Sequence, residues 1–224
     1  KQIALRLKDL FEQTAIKLFN DNIDGSEKYE QRSLLSKILN YLVLIQSETG
    51  IELAQSITLS ENMTLSSIGL KSLCQNNSEN SIKHLNNFYS KWSNNSLVLE
   101  KWFEMMSILN IKGEGINFIK KLLSHNAFDY KSPNKLRSVL GVFQRENVLL
   151  FHANDSSGYN FVSEQICLID SFNSQAAARL VLPLTRFNNY TDDRKKKMKN
   201  SLSEIYNKKK ISSDLSEIIA KALK

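Results

Sequence analysis

Apolar residues recur at intervals of three and four along nearly the whole chain, which is the period of amphipathic helices. Ile3, Leu7, Leu10, Phe11, Thr14 and Leu18 mark a first stripe, broken by the polar run from Asn20 to Gly25. Ser26 is placed to cap a second helix through Leu34, Leu35, Ile38, Leu39, Leu42 and Ile45, with a stop near Gly50. These two helices are expected to form an antiparallel hairpin. A short helix is expected over Glu52 to Thr58. Thr64 then caps a segment through Leu65, Ile68 and Leu73, with Gly69 as a weak point inside it and the polar cluster from Gln75 to Glu79 closing it. Leu85, Phe88, Tyr89 and Trp92 stand at i, i+3, i+4 and i+7, and Leu99, Trp102, Phe103 and Met106 repeat the spacing. Large aromatics in this register predict helix–helix core rather than a stacking platform for a ligand.

The second half follows the same rule. Gly113 and Gly115 mark a turn before a helix through Ile116, Ile119, Leu122 and Leu123, which ends at His125-Asn126. Ser132 caps the next helix, and Pro133 takes its first position, where a missing N–H costs nothing. That helix is predicted to bury Leu136, Val139, Leu140 and Phe143. A turn through Val148 and Phe151 leads to a loop over Asp155 to Tyr159, then to a helix with Phe161, Ile166, Leu168 and Ile169. Asn173 or Ser174 caps a helix that carries Gln175 and Arg179 and is kinked or shortened by Pro183. Thr191-Asp192-Asp193 and Ser212-Ser213-Asp214 open the last two helices, the latter burying Leu215, Ile218, Ile219 and Ala222. The pattern thus predicts an all-α protein of about ten or eleven short helices. Their up–down order suggests an irregular α-superhelix of the ARM/HEAT kind, because no fixed-length repeat word recurs.

Composition supports this picture. Only 7 Gly and 2 Pro occur in 224 residues, few turn-formers for an all-β fold of that size. No linker or shift in composition divides the chain, so residues 1–224 are read as a single helical domain. Lys1 already lies within a helical pattern, and the chain is expected to be the larger part of a domain from a longer protein. No basic segment followed by an apolar run opens the sequence, and no apolar stretch approaches the roughly 20 residues that cross a bilayer. Cys74 and Cys167 fall among apolar residues and are expected to be buried thiols of a reducing, cytoplasmic setting. The formal net charge of +7 owes much to Arg194 to Lys197, Lys199 and Lys208 to Lys210. These runs lack interleaved aromatics, so solvated helix faces are expected in preference to a nucleic-acid or membrane surface.

Catalytic patterns are absent. A zinc hydrolase uses clustered ligands such as H-E-x-x-H, but His84, His125 and His152 are far apart in the sequence. Cys167 with His152 would make a nucleophile–base pair only if the thiol left its apolar stripe, and a packed thiol is the simpler reading. The chain is therefore expected to carry no catalytic residue and no metal site of its own. Three polar residues do stand out. Arg137, Gln175 and Arg179 are read as lying in the first turns of helices, where a cation opposes the helix dipole. Around the intervening corner, His152 is expected to bond the loop backbone or Asp155. Asp155 is expected to accept the N–H groups of Ser157 and Gly158, and Gly158 to supply a backbone shape that a side chain would forbid.

The same stretch resembles a known family. Pro133-Asn134-Lys135-Leu136-Arg137-Ser138, Phe151-His152-Ala153, Asp155, Ser157-Gly158-Tyr159, Asn173, Gln175, Ala178-Arg179-Leu180 and Pro183-Leu184 are similar to the carboxy-terminal end of the bacterial aminopeptidase N family, the zinc-dependent alanyl aminopeptidases of the gluzincin class. The similarity runs on to Ala220-Lys221-Ala222-Leu223. It continues more weakly upstream through Asn62-Met63-Thr64, Tyr89 to Trp92, and Leu97 to Phe103. Two departures stand out. The family's usual Asp-Gly-Ser-Gly-Tyr reads Asp155-Ser156-Ser157-Gly158-Tyr159 here, and its Asn-Pro before Phe-His reads Asn147-Val148 followed by Leu149-Leu150.

The resemblance implies a parent metalloaminopeptidase in which an upstream thermolysin-like domain holds zinc and the amine end of the substrate. This domain would close the chamber over that site and control peptide access. Positions matching Arg137, Gln175 and Arg179 would meet the distal part of a peptide. His152, Asp155, Gly158 and Tyr159 would form the structural corner between the helices. The implied partners are peptide substrates and the upstream catalytic domain of the same chain; nucleic acid and membrane are not among them. Exposed apolar residues on the outer helices would be where the missing domains dock. The alternative from the residues alone is a free-standing helical-repeat adaptor that binds a protein or an acidic partner. A basic nucleic-acid module would in addition require a steeply salt-dependent grip on DNA or RNA.

Overall fold

The computed structural model describes residues 1–21, 23–77 and 81–224. Asn22, within the first predicted break, and Ser78 and Glu79, within the polar cluster expected to follow Leu73, lie outside the described residues. The described residues are helical throughout their ordered elements, as the hydrophobic period predicts, and contain no strand. They fall into two compact units, Lys1–Leu109 and Asn110–Lys224.

The first unit consists of α1 (Gln2–Arg6), α2 (Lys8–Asn20), α3 (Tyr29–Leu44), α4 (Glu48–Thr58), α5 (Met63–Gln75), α6 (Ser81–Trp92) and α7 (Ser96–Ile108). Each packs chiefly on its neighbours: α2 on α3, α3 on α4 and α5, and α6 on α7. This is the logic of stacked helix pairs. Leu35, Leu39, Leu42 and Val43 of α3 are fully buried against Ala54 and Ile57 of α4 and Leu73 of α5. The aromatic register of α6 and α7 is core as predicted: Leu85, Phe88, Trp102 and Phe103 are buried, and the Tyr89 and Trp102 rings lie 4.8 Å apart.

Several local expectations are corrected here. The first helix breaks at Leu7, and the residues buried along it are Ala4, Ala15 and Leu18, while Ile3, Leu7 and Leu10 are exposed. A stripe weighted by side-chain size misses a contact made by alanines. Likewise, Leu34 is half exposed. Ser26 opens a 3-10 turn, Ser26–Lys28, and does not cap α3. The side chain of Arg32 instead ties that turn by donating to the carbonyls of Ile23 and Gly25.

Gly50 does not end a helix. It sits in the first turn of α4, capped by Ser47, where a Cβ would fall 2.4 Å from the Cβ of Leu42. Gly69 plays the same part in α5, its missing Cβ leaving room for the Ala54 carbonyl at 2.5 Å. The glycine expected as a stop and the one expected as a weak point are both points of close helix approach. Asn62 rather than Thr64 caps α5, its side-chain oxygen accepting the N–H groups of Thr64 and Leu65.

The second unit begins with the turn through Gly113 and Gly115, both at positive φ, before α8 (Ile116–Leu123). Next comes α9 (Pro133–Leu136), with Ser132 as its cap and Pro133 in its first turn, as predicted. It runs without interruption through a π-helical turn, Arg137–Gly141, into α10 (Val142–Glu146). The remaining elements are α11 (Val148–Phe151), α12 (Ser157–Asp170), α13 (Ser174–Leu180), α14 (Leu182–Thr185), α15 (Asp192–Tyr206) and α16 (Ser213–Leu223).

Phe143 anchors the core, with its ring edge-on to Phe151 and Phe161 at 5.9 Å from each. α13 ends at Leu180, shortened ahead of Pro183 in the first turn of α14, and Ser212 caps α16, both as expected. Thr191 stands at the cap position of α15, but its hydroxyl makes no capping bond; the two carboxylates of the first turn supply the favourable charge. In the same helix, Lys197 pairs with Asp193 and the Lys199 ammonium lies over the Phe187 ring, so part of the basic run is used internally. The expected number of helices is exceeded because single stripes are cut into short pieces at Leu7, at the π turn and at Pro183.

Candidate functional site

The helical segment from Pro133 to Glu146 is apolar on one side and carries a polar stripe on the other. Pro133, Arg137, Gly141, Gln144 and Arg145 follow one another at intervals of four, four, three and one, so they share a face. The π turn occupies the middle of this stripe, a feature that frequently accompanies functional positions. Ser132 fixes the start of the segment, and Leu136, Val139, Leu140 and Phe143 hold its other side in the core.

Facing the stripe is α13, which packs on α12 and touches the π turn. Asn173 caps it by accepting the N–H of Ala176, and Gln175, Ala176 and Arg179 point to the same side. Between them lies a cavity of about 250 Å³ lined by Pro133, Asn134, Leu136, Arg137, Gly141, Gln144, Arg145, Asn173, Gln175, Ala176, Arg179, Leu180 and Pro183. The three residues singled out from the sequence, Arg137, Gln175 and Arg179, are thus brought to one wall-to-wall space.

The chemistry of the cavity is cationic. Arg137, Arg145 and Arg179 line it, no carboxylate does among the described residues, and none of the three guanidinium groups forms an ion pair there. Arg137 donates through Nη2 to Oδ1 of Asn134 at 3.2 Å, which orients its planar fork. Gln144 is 4% exposed, and neither its Nε2 nor its Oε1 has a hydrogen-bond partner. Such a set is suited to holding an anion by bidentate contacts, with polar groups left over for a neighbouring amide.

One expectation about this site fails. Arg179 lies in the last turn of α13, not its first, so its charge agrees with the helix dipole. Only Gln175 is in a first turn, and Arg137 closes the single turn of α9. Arg137, Gln175 and Arg179 share one cavity, but not because all three stand in first turns. Sequence reasoning missed Asn134, Gly141, Gln144, Arg145 and Asn173 as lining residues. The signal was present: Arg137, Gln144 and Arg145 lie on the side opposite the buried Val139, Leu140 and Phe143.

The corner residues lie away from this cavity and hold the helices around it. His152 does not engage Asp155. Its Nδ1 is 2.6 Å from the Tyr159 hydroxyl, and its ring packs on Tyr190 at 4.6 Å. Burial, and then the nearby Arg194, hold the imidazole below its ordinary pKa. Asp155 accepts the N–H of Ser157, and hydrogen bonding from Ser157 is the main cause that lowers its carboxyl pKa. Gly158 is needed for space rather than for conformation. A Cβ there would lie 2.4 Å from the carbonyl oxygens of both Leu150 and Phe151. The left-handed residue of the corner is Ser156, at φ 64°.

Cys74 is buried as expected, its thiol pushed up to about 12 by desolvation, whereas Cys167 is only half-buried. Among the described residues no three His, Cys, Asp or Glu side chains converge so as to hold a metal ion. The zinc that the resemblance assigns to an upstream domain finds no fitting set of ligands among the described residues. No described helix is long and apolar enough to cross a membrane.

Helices stacked on near neighbours define a helical-repeat domain, with a cationic cavity in its second unit. The chain belongs, over residues 1–224, to the family described as "Domain of unknown function (DUF3458_C) ARM repeats". It is 38% identical over 133 residues to aminopeptidase N of Escherichia coli (strain K12), a match covering 59% of this chain and 15% of that protein. It is 35% identical over 139 residues to aminopeptidase N of Haemophilus influenzae, covering 62% of this chain and 16% of that one. The structure of Legionella pneumophila aminopeptidase A, in complex with aspartic acid, matches with a TM-score of 0.84 at 28% identity, over 99% of this chain and 27% of that one. The similarity is to the C-terminal region of these aminopeptidases. The chain spans only about a sixth of the length of the curated relatives it matches.

Proposed function

We propose that this chain is the C-terminal domain of a cytoplasmic zinc aminopeptidase that releases N-terminal amino acids from peptides. On this reading, the zinc and the cleavage site belong to an upstream part of the enzyme. The domain closes the chamber around that site, controls peptide access, and contacts the part of the substrate farthest from the bond that is cut.

The observation that carries this reading is the convergence of Arg137, Gln175 and Arg179 on one carboxylate-free cavity. A peptide's free carboxylate is an anion of the size and shape that an arginine fork receives with two parallel hydrogen bonds. The similarity to aminopeptidases over most of the chain supports the enzyme class. In addition, α1 and α2 leave Ile3, Leu5, Leu10 and Phe19 exposed, apolar surface that an upstream domain of the same chain would cover.

Arg179→Ala in the full-length enzyme tests the role. It is expected to lower kcat/KM for di- and tripeptides more than for a single-residue chromogenic amide, which has no distal carboxylate to hold. An equal loss on both kinds of substrate removes the assigned contact.

A further inference from the structure

Arg137, Gln175 and Arg179 account for an anion in the cavity but not for the rest of its lining. Gln144 follows Arg137 by seven residues, on the same face of the helical segment, and lines the same space. Its side chain is buried, and both amide atoms lack a partner. Native proteins rarely leave a buried amide unpaired, because the lost hydrogen bonds with water are not replaced. We infer that Gln144 is a specificity-determining residue of this cavity, pairing with the last peptide group of a short peptide whose free carboxylate is held by Arg137, Arg145 and Arg179. The inference rests on the reading that this domain contacts the distal end of a peptide.

The chemistry favours that ligand over a simple anion. Nε2 of Gln144 offers two donors and Oε1 accepts. A phosphate or an isolated carboxylate answers the donor side alone. A peptide group answers both, because its C=O accepts while its N–H donates. The C-terminal residue of a peptide carries a peptide group and a carboxylate on one α-carbon, so three cations with an amide in the same wall match both at once. Arg145, on the neighbouring position of the same stripe, adds a third cation that the assigned trio lacks. The cavity, at about 250 Å³, admits only the small end of a chain. The Gln144 amide sits closed to water in the wall, and its terminal torsion is soft, so it can turn to meet a ligand.

The test uses the full-length enzyme with trialanine and alanine p-nitroanilide as substrates that share a first residue. Gln144→Met keeps the length of the side chain and removes both amide groups. It is expected to lower the ratio of kcat/KM for trialanine to that for alanine p-nitroanilide by about tenfold or more, with the loss appearing in KM. If Gln144→Met does not fold, Gln144→Glu keeps the shape and carries the same expectation, since a carboxylate there repels the ligand's own. An unchanged ratio, or an equal loss on both substrates, overturns the inference. Arg179→Ala, measured alongside, separates the two readings. A ratio lowered by Arg179→Ala but not by the Gln144 variants rejects the role of Gln144 and leaves the distal contact standing, whereas a ratio moved by neither rejects both.

Discussion

The Nδ1 of His152 lies 2.6 Å from the hydroxyl of Tyr159, seven residues away, and both side chains are buried where α11 meets α12. Tyr159 is fully enclosed, with its ring edge-on to Phe151 at 5.3 Å. A neutral imidazole can accept the phenol proton at that nitrogen, so one hydrogen bond satisfies two polar groups that the aromatic core would otherwise leave unpaired. Tyr159→Phe keeps the ring and strands the imidazole nitrogen. The expected cost is about 1–3 kcal/mol, measurable as a lower midpoint in a denaturant titration of the 224-residue chain.

The same histidine makes stability depend on pH. Burial, with Arg194 next in effect, lowers the His152 pKa from its ordinary 6.5. The unfolded chain therefore takes up this proton at a higher pH than the folded one. The stabilising contribution of neutral His152 is complete above 6.5 and is lost as pH falls below that value toward the folded pKa. His84, lowered by burial and by Lys83, and His125, lowered by burial, act in the same direction. Denaturation at about pH 8 and about pH 5 should thus show a drop on acidification, and His152→Gln should make that drop smaller without abolishing it. A pH dependence as steep as that of the parent chain would rule out His152 as a source.

Two neighbouring residues of the corner call for opposite substitutions. Ser156 holds φ at 64°, where a side chain crowds the following carbonyl. It also stands where the family's usual sequence has glycine. Ser156→Gly relieves that strain at some cost in unfolded-chain entropy, for a net gain of about 0.5–1 kcal/mol. Gly158 has no such freedom, because a methyl group would press on backbone carbonyls of α11 rather than on a movable side chain. Gly158→Ala is expected to cost about 3 kcal/mol or more, since α11 must shift to make room. Thermal or denaturant midpoints of the pair settle the contrast, and equal shifts would contradict it.

Much of this fold was legible because a helix records its buried side in local spacing. The aromatic registers of α6 and α7, the Ser132–Pro133 start and the Ser212 cap all depend on residues a few positions apart, and all are where the pattern puts them. Errors gathered where a small residue or a distant partner decides. Ala4 and Ala15 are buried in place of larger neighbours, and Gly50 marks a helix contact instead of a stop, as Gly69 does instead of a weak point. The loop backbone or Asp155 was the expected partner of His152 on nearness in the sequence. Tyr159 is the actual one, because the turn at Ser156 carries α12 back over α11.

By itself, then, the amino-acid sequence determined an all-helical chain, most core stripes, the caps at Ser132, Asn173 and Ser212, and three polar residues worth following. Only the tertiary structure decided that Arg137 and Arg179, more than forty residues apart, face one cavity, and that Gln144 lies unpaired in its wall. The physical reason is that hydrophobic periodicity is a property of a single helix. A cavity, its charge and an unsatisfied amide are properties of the space between helices, and that space exists only once distant segments have packed.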